Sequence, residues 1–161
     1  TTTAICNGYR PNFRAPTKYD LAMPISPSFA GGAGAIRSTT EDLCLWHLAL
    51  LSGKVLKPES VEAMLTPTLL KNGKPAYERQ GADPLEYGLG QGLGTMQNLK
   101  LAAHGGRVNG FTGHLRSFTD SKLTVAILYN SDGGGAPGFS EAQKRLKTEA
   151  SRLGIEHLGL A

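Results

Sequence analysis

Cysteine is scarce in this 161-residue sequence: only Cys6 and Cys44 occur, and neither stands in a CxxC or other metal-ligand spacing. Two buried thiols are the plain reading, and the spacing does not decide whether they pair. Long apolar runs are missing as well. None approaches the roughly 20 residues needed to span a bilayer, so no membrane span is expected. The opening stretch TTTAICNGYRPNF lacks an initiator Met and the basic, apolar and small-residue regions of a signal peptide. It reads as the start of a processed product or of a fragment.

Metal-binding and nucleophile motifs are also wanting. His47, His104, His114 and His157 form no HxxxH pair, and no nearby carboxylate completes a triad with them. No serine is followed three positions later by lysine, and none has the flanking glycines of GxSxG. Cys44 stands three residues before His47, but in a Leu-rich helical stretch that argues for core packing. Taken alone, the chain shows no convincing nucleophile, and no metal or cofactor is expected. There is no internal repeat.

What is present suits one globular domain. A compact chain this long buries roughly two-thirds of its unfolded surface, and 40% hydrophobic with 19% charged residues is not a disordered composition. Seventeen basic and thirteen acidic side chains give a net charge of +4. The tightest basic group, Lys144, Arg145 and Lys147, shares its helical stretch with Glu141 and Glu149. That pattern is a solvated helix face rather than a nucleic-acid surface.

Along the chain, residues 1–30 carry Pro11, Pro16, Pro24 and Pro27 without sustained periodicity and read as extended loop. AGGAGAI (30–36) is a connector. STTEDLCLWHLALLSG predicts a helix capped by Ser38 with Glu41, striped by Leu43, Trp46, Leu50 and Leu51, and stopped by Gly53. KPESVEAMLTP predicts a shorter helix with Pro58 in its first turn, and KNGKP (71–75) a turn. YGLGQGLGTM alternates with period two and predicts a strand with a glycine face for close approach. LKLAAHGG, FTGHLRSF and LTVAILYN, separated by RVNG and TDSK, predict an antiparallel meander. FSEAQKRLKTEASRLG predicts a closing helix, capped by Ser140 with Gln143 and ended by Gly154. GGGAPG (133–138) matches GxGxxG, but lacks the following parallel strand and distant acidic residue of a dinucleotide site. The fold class is α+β, an antiparallel sheet packed with helices.

The motif HGGRVNGF, followed by a strand, a turn and LTVAILYN, resembles the third active-site box of the serine β-lactamase and penicillin-binding superfamily. The resemblance is strongest to class C β-lactamases and related esterases and D-amino-acid peptidases. There the box is Lys-Thr-Gly or His-x-Gly on the inner strand. SFAGGAGAIRSTTEDLCLWHLALLSGKVLKPESVEAMLTP and YGLGQGLG resemble the segments that lead out of the helical region and into the sheet. The resemblance implies a β-lactamase/transpeptidase-like fold. Residues 1–86 would be the end of the helical region with its connecting loops. Residues 87–161 would be the C-terminal part of the sheet with its closing helix.

By the same resemblance, His104 holds the cationic position of the box, and Gly105 and Gly106 let substrate backbone approach. The backbone N–H of Arg107 would be an oxyanion donor, of the kind that commonly contributes about 3 kcal/mol. Asn109 and Asn130 match polar positions near the substrate. An ordinary histidine titrates near 6.5, so a histidine here carries a conditional charge where lysine's is permanent. That favours an esterase or peptidase over a true β-lactamase. A strand histidine hydrogen-bonded for structure is the other reading of His104.

The family's Ser-x-x-Lys and Tyr-x-Asn motifs do not occur here; in relatives both precede the matching region. The implied function is the C-terminal part of a serine hydrolase working through an acyl-enzyme on a small ester, amide or peptide, inactive alone. Its partner would be the missing N-terminal portion of the fold, or a self-assembly. The alternative is a non-catalytic relative that binds peptides or cell-wall ligands. The resemblance also suggests a periplasmic or secreted setting.

Overall fold

The computed structural model describes residues 6–15, 17–78, 84–133 and 136–160. The core of the fold is a five-stranded antiparallel sheet in the order β3-β4-β5-β6-β7. Its strands are β3 (Glu86–Tyr87), β4 (Gly92–Met96), β5 (Leu99–Val108), β6 (Phe111–Phe118) and β7 (Leu123–Tyr129). Two further strands, β1 (Tyr9–Pro11) and β2 (Tyr19–Leu21), form a small hairpin. The helices are α1 (Pro27–Ala30), α2 (Thr40–Leu51), α3 (Pro58–Met64) and α4 (Phe139–His157).

The predicted meander is present; β7 is rich in β-branched and aromatic residues, while β5 carries only Val108 of that kind. Strand β5 runs on through Arg107 and Val108, so the connection to β6 is only Asn109 and Gly110. Gly110 has φ +76°, a conformation that glycine adopts without penalty. A Cβ there would stand 2.5 Å from the Ala22 Cβ. The β1–β2 hairpin is the reason for this crowding, since Tyr9 donates its N–H to the carbonyls of both Gly110 and Asn130.

YGLGQGLGTM is not one strand. It breaks at Gly88–Gln91 into β3 and β4, a hairpin with Gly90 at φ +76°. The close approach expected of its glycines still holds at Gly88, where a Cβ would stand 2.3 Å from the Met64 carbonyl oxygen.

Helix α4 packs on one face of the sheet. Its Ile155 is fully buried with Phe118, Leu101 and Ala103, and Leu85, Met96, Leu99, Leu123 and Leu160 complete this core. Gly154 does not end the helix, because its bare Cα lets Leu123 pack within 3.2 Å of where a Cβ would be. Nor does Ser140 cap it; the helix starts after Gly138, which lies in the left-handed region. Gly134 and Gly135, part of the GxGxxG match, lie outside the described residues.

Helix α2 packs on the opposite face, against β6 and β7. Its cap is Thr39, whose hydroxyl accepts from the Asp42 N–H at 3.1 Å, rather than Ser38. The side turned to the sheet carries Cys44 and His47, while Leu45 and Trp46 are exposed. Of the expected stripe, Leu43, Leu50 and Leu51 are half-buried and Trp46 is exposed. Apolar residues surround this helix, so hydrophobicity alone does not mark the buried side. Both cysteines are free, Cys6 at the surface and Cys44 half-buried.

Candidate active site

Strand β4 pairs with β5 only from Leu99 to Ala103. From His104 to Val108, β5 therefore has, among the described residues, a strand neighbour on the β6 side alone. The hydrogen-bonding parity of this stretch follows from one contact. Thr119 donates to the Lys100 carbonyl at 3.0 Å directly across the β5–β6 ladder, and the register continues unbroken to Val108 opposite Phe111. In an antiparallel ladder the bonds alternate. Even-numbered residues of β5 thus bond to β6, and the N–H and C=O of Gly105 and Arg107 point to the open edge.

Side chains obey the same parity. Leu101 and Ala103 face α4, so His104 lies on the α2 face, where its imidazole is exposed. Its Nε2 lies 3.3 Å from the Tyr87 hydroxyl. His104, Gly105, Gly106 and the Arg107 amide are thus brought together along one open strand edge, with exposed Asn109 just beyond it. Asn130 stands at the end of β7, two strands away, and its side-chain amide donates to the Asn7 carbonyl at 3.4 Å.

The end of this edge is braced from behind. Asp132, buried after β7, accepts the Gly110 N–H at 3.0 Å, and Arg10 lies 3.8 Å from the same carboxylate oxygen. Asp132 had no signal in the sequence beyond a glycine-rich loop. Tyr87 had one, since it opens the YGLGQGLG segment, but only the fold puts it beside His104.

Below the site, a polar pair ties α2 to the sheet. His47 Nδ1 is 2.6 Å from Ser117 Oγ, which is 2.6 Å from Thr124 Oγ1. Burial lowers the His47 pKa, and the nearby Gln91 amide offsets part of that. The Cys44 thiol points to the Thr124 carbonyl and is pushed up by burial, the opposite of an activated nucleophile. Cys44 and His47 therefore each bond elsewhere and form no dyad.

The chain was compared with known proteins. No curated protein sequence matches it. Among solved structures it is similar to a D-stereospecific amidohydrolase from Streptomyces sp., at 25% identity and a TM-score of 0.61, over 79% of this chain and 35% of that one. It is similar in fold to the octameric penicillin-binding protein homologue from Pyrococcus abyssi (23% identity, TM-score 0.63, 88% and 30%). The same holds for a penicillin binding protein from Bacillus halodurans (18%, 0.55, 87% and 39%). The chain thus spans about a third of the length of these structures. The model of the Beta-lactamase family matches residues 2–150, and by that match the chain belongs to the Beta-lactamase family.

Proposed function

We propose that this chain is the sheet-side wall of a serine hydrolase site that cleaves esters or amides through an acyl-enzyme. The observation that carries the reading is the open β5 edge, where an outward Arg107 amide stands three residues from His104. An extended peptide-like substrate can add to such an edge as a further strand. The Arg107 N–H would then meet the oxyanion of the tetrahedral intermediate, and Gly105 and Gly106 would leave room for substrate backbone. His104 would orient the base network or meet a polar substrate group.

The nucleophile and its lysine would come from the portion of the fold outside this chain, which the length of the similar structures supports. The exposed Leu45 and Trp46 of α2 and the outer edge of β7, unpaired among the described residues, fit the same view, since both are surfaces that a fold normally covers.

The test supplies an N-terminal segment bearing Ser-x-x-Lys and follows p-nitrophenolate release from a p-nitrophenyl ester. A burst is expected, and His104→Ala should cut it. No burst in a reconstituted, folded protein would overturn the proposal. Binding of a D-amino-acid peptide with no turnover would replace it by a non-catalytic role.

A further inference from the structure

We propose that Tyr87 is a positioning residue that holds the His104 imidazole by Nε2 and so leaves Nδ1 as the nitrogen offered to a ligand. The inference rests on the reading of His104 as a side chain of the site, and adds a residue that the box motif does not contain. The Tyr87 Oη to His104 Nε2 distance is 3.3 Å, with the rings tilted at 54° and their centroids 6.4 Å apart. Among the described residues the His104 side chain has no other hydrogen bond.

Three observations make Tyr87 a suitable anchor. Its main chain is fixed on both sides, donating to the Ala76 carbonyl at 2.7 Å and accepting from the Thr68 N–H at 2.8 Å. The next residue, Gly88, is seated against the Met64 carbonyl so closely that no Cβ would fit, and Leu89 donates to that same carbonyl at 3.2 Å. The Tyr87 side chain is also partly buried while His104 is exposed, so the rigid member of the pair is the tyrosine. An exposed histidine without such a tether would sample several rotamers.

The chemistry of the phenol suits the task. A tyrosine hydroxyl both donates and accepts, so it can donate to a neutral Nε2 or accept from a protonated one. The tether therefore survives a change in the charge of His104. In each state the ring is held by the same nitrogen, and Nδ1 meets the substrate or the base network. A lysine at this position could donate to the same hydroxyl, but its flexible stem would fix no ring orientation. The tyrosine thus fixes the orientation of the imidazole at this position.

The experiment is nitrogen-15 NMR of the histidine side chains in the chain itself, with His104 assigned by its loss in His104→Ala. In Tyr87→Phe the His104 ring nitrogens should shift, while those of His47, His114 and His157 stay in place. An unchanged His104 pattern in a folded Tyr87→Phe variant would overturn the proposal. A second measurement needs no variant: ring-carbon relaxation in the wild-type chain should show His104 more ordered than the exposed His157. Equal mobility of the two rings would overturn it too. In the reconstituted enzyme, Tyr87→Phe should lower kcat/KM about fivefold, the effect of one neutral hydrogen bond. Loss of the burst with the tether intact would count against the function proposed above and not against this pairing.

Discussion

His104 and His114 lie on adjacent strands one step out of register, His104 opposite Leu115 and His114 opposite Gly105. That single step turns their imidazoles to opposite faces of the sheet. His104 looks toward α2 and the open edge, and His114 is half-buried under α4, in edge contact with Tyr129. They cannot share a metal ion, and they have different chemistry.

His114 should make stability fall with acidification. Burial first, then the charges of Lys147 and Arg116, pull its pKa down to about 4, and Gln143 offsets part of this. A histidine in the unfolded chain titrates near 6.5. The unfolded chain therefore takes up the proton first, so the penalty is absent above about pH 6.5, grows as pH falls to about 4, and is constant below. Discounted for solvent screening, the loss is on the order of 1–2 kcal/mol. Urea midpoints measured from pH 7 to 4.5 should fall more for the wild type than for His114→Gln; equal slopes would contradict this assignment.

Arg107→Pro should separate catalysis from folding. The Arg107 N–H points to the open edge, so proline removes the proposed oxyanion donor without breaking a bond to β6. In a reconstituted enzyme kcat should fall about 10²–10³-fold, with Arg107→Ala close to wild type. Gly106→Pro removes an N–H of the ladder instead, and should destabilise the β5–β6 hairpin. Equal kinetics for Arg107→Pro and Arg107→Ala would remove the amide from the mechanism.

Gly110→Ala should be costly although it adds one methyl. The residue sits at φ +76°, and its Cβ would crowd Ala22 at 2.5 Å and the Gly8 backbone at 2.8 Å. Left-handed backbone and overpacking together should cost about 2–4 kcal/mol. Thermal unfolding tests this, and a change under 1 kcal/mol would show that the β1–β2 hairpin gives way easily.

Ser117→Ala should strand the buried Nδ1 of His47, at a cost of about 1–3 kcal/mol. Combining it with His47→Leu should cost less than the sum of the two single changes, because both remove the same bond. Additive losses in a double-mutant cycle would mean that Ser117 and His47 act independently.

Much of the molecule was legible along the chain. The period-two runs became β5, β6 and β7, and the Asn-Gly pair became the turn between the first two. Pro58 opened its helix, and His104 to Arg107 fell on one strand. These are local matters, decided by side-chain alternation, turn conformation and capping within a few residues. The breaking of YGLGQGLGTM into a hairpin was not legible. Its pattern suits one strand, and what divides it is the seat of Gly88 on α3. Gly154 likewise carries a stop signal that the packing of Leu123 overrides.

By itself, then, the sequence determined the order of the elements, the antiparallel meander and the membership of the Beta-lactamase family. The tertiary structure decided which edge of β5 stays open, which face each histidine takes, and that Tyr87 stands beside His104. Those outcomes depend on where β4 stops pairing and on how distant segments pack. A pairing limit or a long-range contact leaves no periodic trace in the residues that it affects.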